Sequence, residues 1–222
     1  MVVISRHFPE DVILTTARWY LRYKLNYRDI EEFIAERGID VDHSTLNRWV
    51  IKYAPLLVMA ARRHKRSIGV SWRFDETYIK VRGRWKYLYR AVDKFGDTID
   101  FLLSAKRDAK AALRFLCQAI CNNRIPEKIN IDESGANTAA IEAYNQECGV
   151  TIEIRQCNYL NNIVEQDHLR VKQKTRASLG FKAFYSAHAT LQGVELIQMI
   201  RKRRVRPAPS GSYIEQFNRL AM

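Results

Sequence analysis

One stretch of this chain combines a strand pattern with two adjacent acids. The segment is SWRFDETYIKVRGRWKYLYRAVD, and it predicts two strands, over 72–81 and 85–92, joined by a tight turn at VRGR. Side chains alternate along a strand, so Asp75 and Glu76 face opposite sides of the sheet, and Asp75 shares its face with Ile79. A lone buried carboxylate is costly, so Asp75 needs a basic side chain, a set of N–H donors or a metal ion beside it.

The pattern that follows this pair of strands indicates an α/β fold with a mixed sheet. A third strand is predicted over 98–103, after the turn DKFGD. Helices and strands then alternate: helix 108–122, strand KINID, helix 137–147, strand VTIEI, and helices 162–175 and 182–204. Three consecutive strands followed by alternating helices and strands form one sheet with helices packed on it. Trp72 and Trp85 are expected in the core or at an interface rather than as platforms for stacked bases.

The first third of the chain predicts three helices. Asn26 is a candidate N-cap for the second helix, with Asp29 three residues later. Gly38 fits the position just past a helix end. Asp42 can cap the third helix, and Pro55 discourages that helix from continuing. Two short helices joined by a tight connection, after an earlier helix, are typical of a helix-turn-helix domain.

The third helix leaves donor-bearing side chains off its apolar stripe. They are Ser44, Asn47, Arg48 and Lys52. Hydroxyl, amide and cationic donors suit phosphates and base edges in a DNA major groove. The alternative interpretation is a plain three-helix bundle with a solvated face. The net charge of +13, from 37 basic and 24 acidic residues, favours DNA binding.

The same charge and the apolar pattern together narrow the class of protein. Strong positive charge predicts an anionic partner, which is nucleic acid or, less often, a membrane surface. No apolar run approaches the ~18 residues of a membrane span. The start of the chain also lacks the layout of a signal peptide. We therefore expect a cytoplasmic protein with no membrane partner.

Two further acids can join Asp75. Asp132 ends the strand KINID, and Glu165 lies where NNIVEQDHLRVK begins a helix. One sheet can bring a strand centre, a strand end and a helix together, and three carboxylates there would repel one another unless cations lay between them. Hard divalent ions take oxygen ligands, and Mg²⁺ suits phosphate chemistry. Spacing alone does not single out these three among the 24 acids of the chain.

Five stretches carry a family resemblance across nearly the whole chain, in order. They are RHFPEDVIL, LNYRDIEEFIAERGIDVDHSTLNRWV, DETYIKVRGRWKYLYRAVDKFGDTIDFLLS, YLNNIVEQDH and LGFKAF. In these stretches the chain resembles the DDE transposases of bacterial insertion sequences, most closely insertion-sequence family six. The resemblance implies an RNase H-like catalytic core behind a helix-turn-helix domain. It assigns the metal-binding triad to Asp75, Asp132 and Glu165, with Mg²⁺ or Mn²⁺ as the cofactor.

The resemblance also extends to residues around the triad. Family members have a basic residue two helical turns after the Glu, which is Lys172 here, on the same helix face as Glu165 and suited to a DNA phosphate near the cut. His168 lies three residues after Glu165 and could be an auxiliary ligand, a phosphate contact or a structural residue. Glu133 is a departure, because the family usually has Lys after the second Asp. It is either tolerated by pointing to solvent or the mark of a copy with reduced activity.

The resemblance implies a function and partners, and two alternative functions remain open. A transposase would bind the terminal inverted repeats of its own element, nick their 3′ ends and join them to target DNA, by replicative transposition through cointegrates. Two DNA ends in one complex require a homodimer or a higher oligomer, associated with the nucleoid. The alternatives are an RNase H-fold nuclease without strand transfer, and an inactive copy that acts as a helix-turn-helix DNA-binding protein.

These expectations divide the chain into four parts. Residues 1–60 form the helix-turn-helix domain, and 61–70, which include RRHKR, form a basic linker. Residues 71–206 form the RNase H-like catalytic domain. The last part, 207–222, is a C-terminal tail.

Overall fold

The computed structural model describes residues 8–132, 135–157, 162–177, 180–205 and 212–221. The side chains of residues 162–167, 170 and 177 lie outside this description. The chain divides into two units. One, the sheet unit, is Ser67–Arg170, and the other, the helical unit, combines Met1–Arg66 with Val171–Met222.

A five-stranded sheet organises the sheet unit. Its strands are β1 (Ser71–Val81), β2 (Arg84–Asp93), β3 (Thr98–Ser104), β4 (Lys128–Ile131) and β5 (Glu153–Gln156). They lie in the order β3-β2-β1-β4-β5. The first three strands pair antiparallel, whereas β4 is parallel to β1 and β5 is parallel to β4. The predicted α/β fold with a mixed sheet is confirmed, and its strand order is that of an RNase H-like core.

The hydrophobic core of the sheet unit lies on one face of the sheet. Three helices follow the strands: α4 (Ala109–Asn122), α5 (Gly135–Cys148) and α6 (Asn162–Ala177), the last of which crosses into the helical unit. Phe74 of β1 meets Phe115 of α4 with ring centroids 4.8 Å apart. Trp72, 1% exposed, lies in this core as predicted, whereas Trp85 is 62% exposed and lies outside it. Because side chains alternate, Asp75 lies on the other face of β1 from Phe74.

A two-residue turn joins β1 to β2. Both turn residues lie in the left-handed region, Arg82 at φ 51° and Gly83 at φ 73°. Positive φ at both positions is the type I′ pattern, whose twist matches that of the flanking strands. Pairing then runs without a shift from Val81 opposite Arg84 to Trp72 opposite Asp93. Both strand bounds match the sequence prediction to within one residue.

Side-chain caps fix the first helices of the helical unit. Its helices are α1 (Glu10–Arg22), α2 (Tyr27–Ala35), α3 (His43–Arg62), the end of α6, α7 (Phe184–Arg201) and α8 (Tyr213–Arg219). Asn26 and Asp29 form the predicted capping box at the start of α2. Asp42 caps α3, and hydrogen bonds from the hydroxyl and backbone N–H of Thr45 lower the pKa of Asp42 to about 2. Both predicted caps are confirmed.

Helix α3 continues past the proline at which the sequence predicted its end. Pro55 lies inside the helix, which runs on to Arg62. A proline in a helix interior removes a backbone hydrogen bond and costs about 3 kcal/mol. Beyond it, Leu57, Val58 and Ala61 recur at helical spacing and are buried, and α3 packs along α7. The predicted end was wrong because the apolar surface buried by the longer helix outweighs the local cost of proline.

The C-terminal helices pack with the N-terminal ones. Helix α7 contacts α1 and α3, α8 contacts α1 and α7, and Phe217 of α8 is fully buried. Lys65, in the segment predicted as a linker, forms a β-bridge with Val205. This division differs from the predicted one, because residues from Val171 onward group with the N-terminal helices. Helix α7 is buried on several sides, so its sequence pattern did not indicate the unit to which it belongs.

Helix α7 approaches α1 and α3 most closely at a glycine. A Cβ on Gly193 would lie 2.5 Å from Cδ2 of Leu21 and 3.1 Å from Cβ of Ala54. Leu21 and Ala54 are both buried, and close-packed interiors leave little room for such side chains to shift. Gly193 therefore sets the distance at which these three helices pack.

We expect Gly193→Ala to lower the free energy of unfolding by about 1–3 kcal/mol, as overpacking of a core does. The gain in helix propensity, at most about 1 kcal/mol, is too small to offset this. Gly135→Ala is the matched control, since a Cβ there meets nothing within 4 Å, and its stability should be unchanged or higher. Urea unfolding followed by circular dichroism measures both changes. Wild-type stability in Gly193→Ala would show that the helices can move apart.

Candidate active site

Asp75 and Asp132 lie on neighbouring parallel strands. The last pair of the ladder between β1 and β4 joins Arg73 to Asn130. Each aspartate follows its paired residue by two positions, which keeps it on the same face of the sheet. Neighbouring strands lie about 4.8 Å apart. The register therefore predicts that Asp75 and Asp132 lie on the same face of neighbouring strands, just past the last pair of this ladder.

Basic groups surround Asp75 on its face of the sheet. Across the β1–β2 pair it lies opposite Arg90, which is almost fully buried. Arg73, two residues earlier on the same face, is also buried. His168 of α6, 3% exposed, brings Nδ1 to 3.6 Å from Oδ2 of Asp75. The side chain of Asp75 remains 16% exposed, so these groups offset its burial while its carboxylate stays partly open to solvent.

On the opposite face of β1, Glu76 forms a buried ion pair that sequence analysis missed. One carboxylate oxygen accepts hydrogen bonds from Arg107, and the other accepts from Nδ2 of Asn137 at 3.0 Å. The side chain of Glu76 is 3% exposed and that of Arg107 is 38% exposed. Asn137, on α5, is fully buried. The strand alternation was the available signal, because an acid opposite in direction to Asp75 must face the core and needs partners there.

Arg107 also lies within electrostatic reach of Asp132. Burial alone would lower the pKa of Arg107, but the charge and hydrogen bonding of Glu76 raise it above its ordinary value, and the charge of Asp132 adds to this. The guanidinium is therefore a fixed positive charge near the second aspartate.

The third predicted acid, Glu165, belongs to α6. Its side chain lies outside the described residues, and so does all of Glu133. Lys172, seven residues after Glu165 on the same continuous helix, is half-buried. His168 lies between them and is buried beside Asp75. This placement puts the His168 ring beside the first aspartate, and its predicted contact with DNA stays a prediction.

The aspartates supply the oxygen donors that a hard divalent cation prefers. Among the described residues, no group of three or more His, Cys, Asp or Glu is arranged to hold a metal ion, and the side chain of Glu165 is not among them. Two carboxylates from neighbouring strands, both of them partly exposed, fit Mg²⁺ or Mn²⁺ better than a soft metal. A further carboxylate, water or phosphate oxygens would complete such a site.

The side chains predicted to contact DNA lie along α3. Ser44, Arg48 and Lys52 are exposed at positions i, i+4 and i+8 of one helix face, and Asn47 is half-buried. Nη2 of Arg48 donates to the hydroxyl of Thr45 at 2.6 Å. This hydrogen bond holds the guanidinium against its own helix while leaving most of its donors free for other acceptors.

Sequence comparison gives the family of the chain. A family model described as a DDE domain, DDE_Tnp_IS240, matches residues 69–204. The transposase for insertion sequence-like element IS431mec of Staphylococcus aureus strain Mu50 is 39% identical over 208 residues, which are 90% of this chain and 89% of the relative. The chain belongs to the DDE transposases of insertion-sequence family six. The transposase is therefore a DDE-type polynucleotidyl transferase.

Two further similarities concern a second relative and a solved structure. The S. aureus transposase for element IS257 in transposon Tn4003 is 38% identical to this transposase, over 90% of this chain and 89% of the relative. The HTLV-2 integrase catalytic core domain in complex with magnesium, in its trimeric form, is 17% identical with a TM-score of 0.47, over 69% of this chain and 99% of that one.

In the described part of the transposase, every helix is too short or too polar to cross a membrane.

Arg107→Ala should destabilise the transposase more than Glu76→Gln. The first change leaves a buried carboxylate without its cation and should cost about 2–3 kcal/mol, less than for a fully buried pair because Arg107 reaches solvent. In the second, a neutral amide keeps the contact with Asn137 while Arg107 is hydrated, so the cost should be about 1 kcal/mol. Chemical unfolding of both variants at neutral pH measures the two losses, and equal losses would contradict this prediction.

Proposed function

We propose that this transposase binds the terminal inverted repeats of its own insertion sequence, nicks their 3′ ends and joins each 3′-hydroxyl to target DNA. In the joining step the hydroxyl oxygen attacks a target phosphorus and the target 3′ oxygen leaves, without a covalent bond between protein and DNA. Family membership supports a replicative route through cointegrates. The observation that supports the proposal is the parallel pairing of β1 with β4, whose register puts Asp75 and Asp132 on the same face of neighbouring strands.

We propose that Asp75, Asp132 and Glu165 hold Mg²⁺ or Mn²⁺. Such an ion would activate a water or a 3′-hydroxyl and stabilise the leaving oxygen at a phosphodiester. The protein's own groups hold the acids in position. His168 lies 3.6 Å from Oδ2 of Asp75 and limits its rotation, and Arg107 offsets negative charge near Asp132. Both effects support a site that accepts a phosphate despite its carboxylates.

The two units divide the work in this proposal. The helical unit recognises the element ends through α3, with Ser44, Asn47, Arg48 and Lys52 as contacts, and His168 acts inside the site rather than on DNA. The sheet unit carries out the chemistry. Lys172 binds a DNA phosphate close to the cut, two helical turns along α6 from Glu165.

The proposed partners are DNA and other copies of this chain. Synapsis of two element ends requires two recognition surfaces, so a homodimer or a larger assembly is the working form. The net charge of +13 supports binding to the DNA backbone throughout the nucleoid of a bacterial cell.

A strand-transfer assay with labelled element ends, a target plasmid and Mg²⁺ tests the proposal. We expect joined products from the wild type and none from Asp75→Asn or Asp132→Asn, which keep the side-chain size but remove a charge. Glu127→Gln, an exposed acid at the amino end of β4, is the matched control and should join normally. Nicking without joining would support the nuclease alternative. End binding with neither reaction would support an inactive DNA-binding copy.

Recognition and chemistry should separate on mutation of α3. Arg48→Ala with Lys52→Ala should weaken binding to element ends by at least about 10-fold, because two cations that donate to DNA without supporting the core are lost. Cleavage of a pre-nicked substrate should be less affected. Lys24→Ala with Arg28→Ala removes two exposed charges elsewhere in the helical unit and serves as the control. Electrophoretic mobility shift and cleavage assays give both quantities, and equal loss in both would count against separate roles.

Substitutions of Lys172 and Glu165 should have opposite effects on DNA binding and on metal binding. Lys172→Ala should keep Mg²⁺ binding, weaken end joining and flatten the salt dependence of DNA binding by about one phosphate contact. Glu165→Gln should keep DNA binding and abolish metal-dependent chemistry, because a carboxylate ligand is lost. Calorimetric Mg²⁺ titration and end binding across a salt series measure these effects. Loss of metal binding with an unchanged salt slope in Lys172→Ala would rule out this division of roles.

A further inference from the structure

The end of the β1–β2 hairpin extends past the rest of the sheet. β4 pairs with β1 only up to Arg73, and β3 pairs with β2 only from Tyr87 onward. In the described part of the chain, residues 79–81 and 84–86 pair with each other and with no third strand. These residues, the turn between them and the pair Tyr78–Tyr87 at their base form a two-stranded arm.

One face of this arm is aromatic and cationic. Two directly opposed pairs make it up, Tyr78 with Tyr87 and Lys80 with Trp85, and we call these four residues the arm face. Trp85 and Tyr78 are exposed. The rings of Tyr78 and Tyr87 lie 5.3 Å apart, and Nζ of Lys80 lies 5.8 Å from the centroid of the Trp85 ring. The arm face therefore presents large flat rings to solvent with a cation beside them.

On the opposite face of the arm, the side chains of β1 are buried. Ile79 is 1% exposed and Val81 is 3% exposed. These two side chains anchor the arm, so its position does not depend on the aromatic rings of the arm face. A role in stability does not explain why Trp85 and Tyr78 remain in water, since exposed aromatic surface is unfavourable.

The arm carries only positive charge. Residues 77–87 include four cations and no acid. The cations are Lys80, Arg82, Arg84 and Lys86. Arg82 has φ 51°, a conformation that Gly or Asn adopts at lower cost. The chain therefore keeps a cation at a position where backbone geometry alone favours another residue.

We propose that the arm face binds unpaired DNA, with bases stacked on Trp85 and Tyr78 and phosphates held by Lys80 and Arg82. The proposal rests on the proposed function only in that DNA strands are the substrate. In a duplex the bases stack on one another and expose their edges, so flat rings find no matching surface there. An unpaired strand offers free base faces beside a charged backbone, which is the combination that aromatic and cationic side chains bind without regard to sequence.

The charge of the arm disfavours a second copy of this chain as its partner. Two apposed arms would bring four cations against four cations, and like charges at an interface oppose association. A nucleic acid strand neutralises the same charges and releases its counterions. The strand nearest a nick is where bases most readily leave the duplex, and it is the strand on which this class of enzyme acts.

The test measures binding of labelled oligothymidine, and of a mixed-sequence duplex of equal length, by fluorescence anisotropy in EDTA. Trp85→Ala should bind oligothymidine about 10-fold more weakly and the duplex with less than about 2-fold change, because stacking contributes only to unpaired bases. Trp85→Phe keeps a ring and should retain most of the affinity. Arg82→Asn keeps a residue that tolerates the left-handed turn, and should flatten the salt dependence by about one phosphate contact.

Phe95→Ala is the matched control. Phe95 is 73% exposed at the other end of β2, with Nζ of Lys94 4.9 Å from its ring centroid, but Asp93 and Asp97 flank it. It should bind both DNAs as the wild type does. The proposal is overturned if Trp85→Ala binds oligothymidine normally, if it loses both DNAs equally, or if Phe95→Ala loses as much. A smaller oligomer in Trp85→Ala by light scattering, with unchanged DNA binding, would assign the arm face to a second copy instead.

This experiment can contradict the inference about the arm without contradicting the proposed function, and the strand-transfer assay can do the reverse. Binding in EDTA requires neither an element end nor a metal ion. A chain that joins no DNA but binds oligothymidine through Trp85 would keep this inference and lose the proposed function. If the wild type joins DNA normally and Trp85→Ala binds oligothymidine as the wild type does, the proposed function stands and this inference is wrong. Thermal unfolding shows whether each variant is folded. If Trp85→Ala does not fold, the binding of Trp85→Phe and Arg82→Asn to oligothymidine tests the inference instead.

Discussion

The parallel pairing of β1 with β4 is the interaction on which the site depends. Ile129 and Ile131 of β4 are fully buried on the core face, and Asn130 and Asp132 alternate with them. A slip of one residue in this ladder would turn Asp132 into the core and an isoleucine toward Asp75. The hydrophobic core therefore fixes the register, and the register in turn fixes which acids meet.

Two neighbouring acids on β1 illustrate two ways of accommodating a charge. Glu76 is sealed into the protein with a guanidinium and an amide as partners, which satisfies its oxygens and leaves them unavailable for other ligands. Asp75 is only partly covered and has an imidazole 3.6 Å away, so its carboxylate stays partly open to solvent. Arg107 pairs with Glu76 and also lies within electrostatic reach of Asp132.

Local sequence signals predicted the local structure well and the long-range structure less well. The hairpin turn at Gly83 and the caps at Asn26 and Asp42 depend on a few adjacent residues, and all three could be predicted. The passage of α3 through Pro55 depends on packing against α7, which no local pattern reports. The partners of Glu76 come from distant segments, so strand alternation indicated that they were needed without indicating which residues they are. The exposure of Trp85 depends on where neighbouring strands stop, which hydrophobic pattern alone does not give.

The helical unit is discontinuous in sequence, and this has a consequence for how the chain is made. A ribosome releases α1, α2 and α3 before the sheet unit and long before α7. Until α7 emerges, α3 lacks the helix along which it packs in the folded unit. The first helices therefore complete their core only at the end of synthesis, while the sheet unit can fold as soon as its own strands are out. A nascent chain that stops early is thus left with an unfinished helical unit.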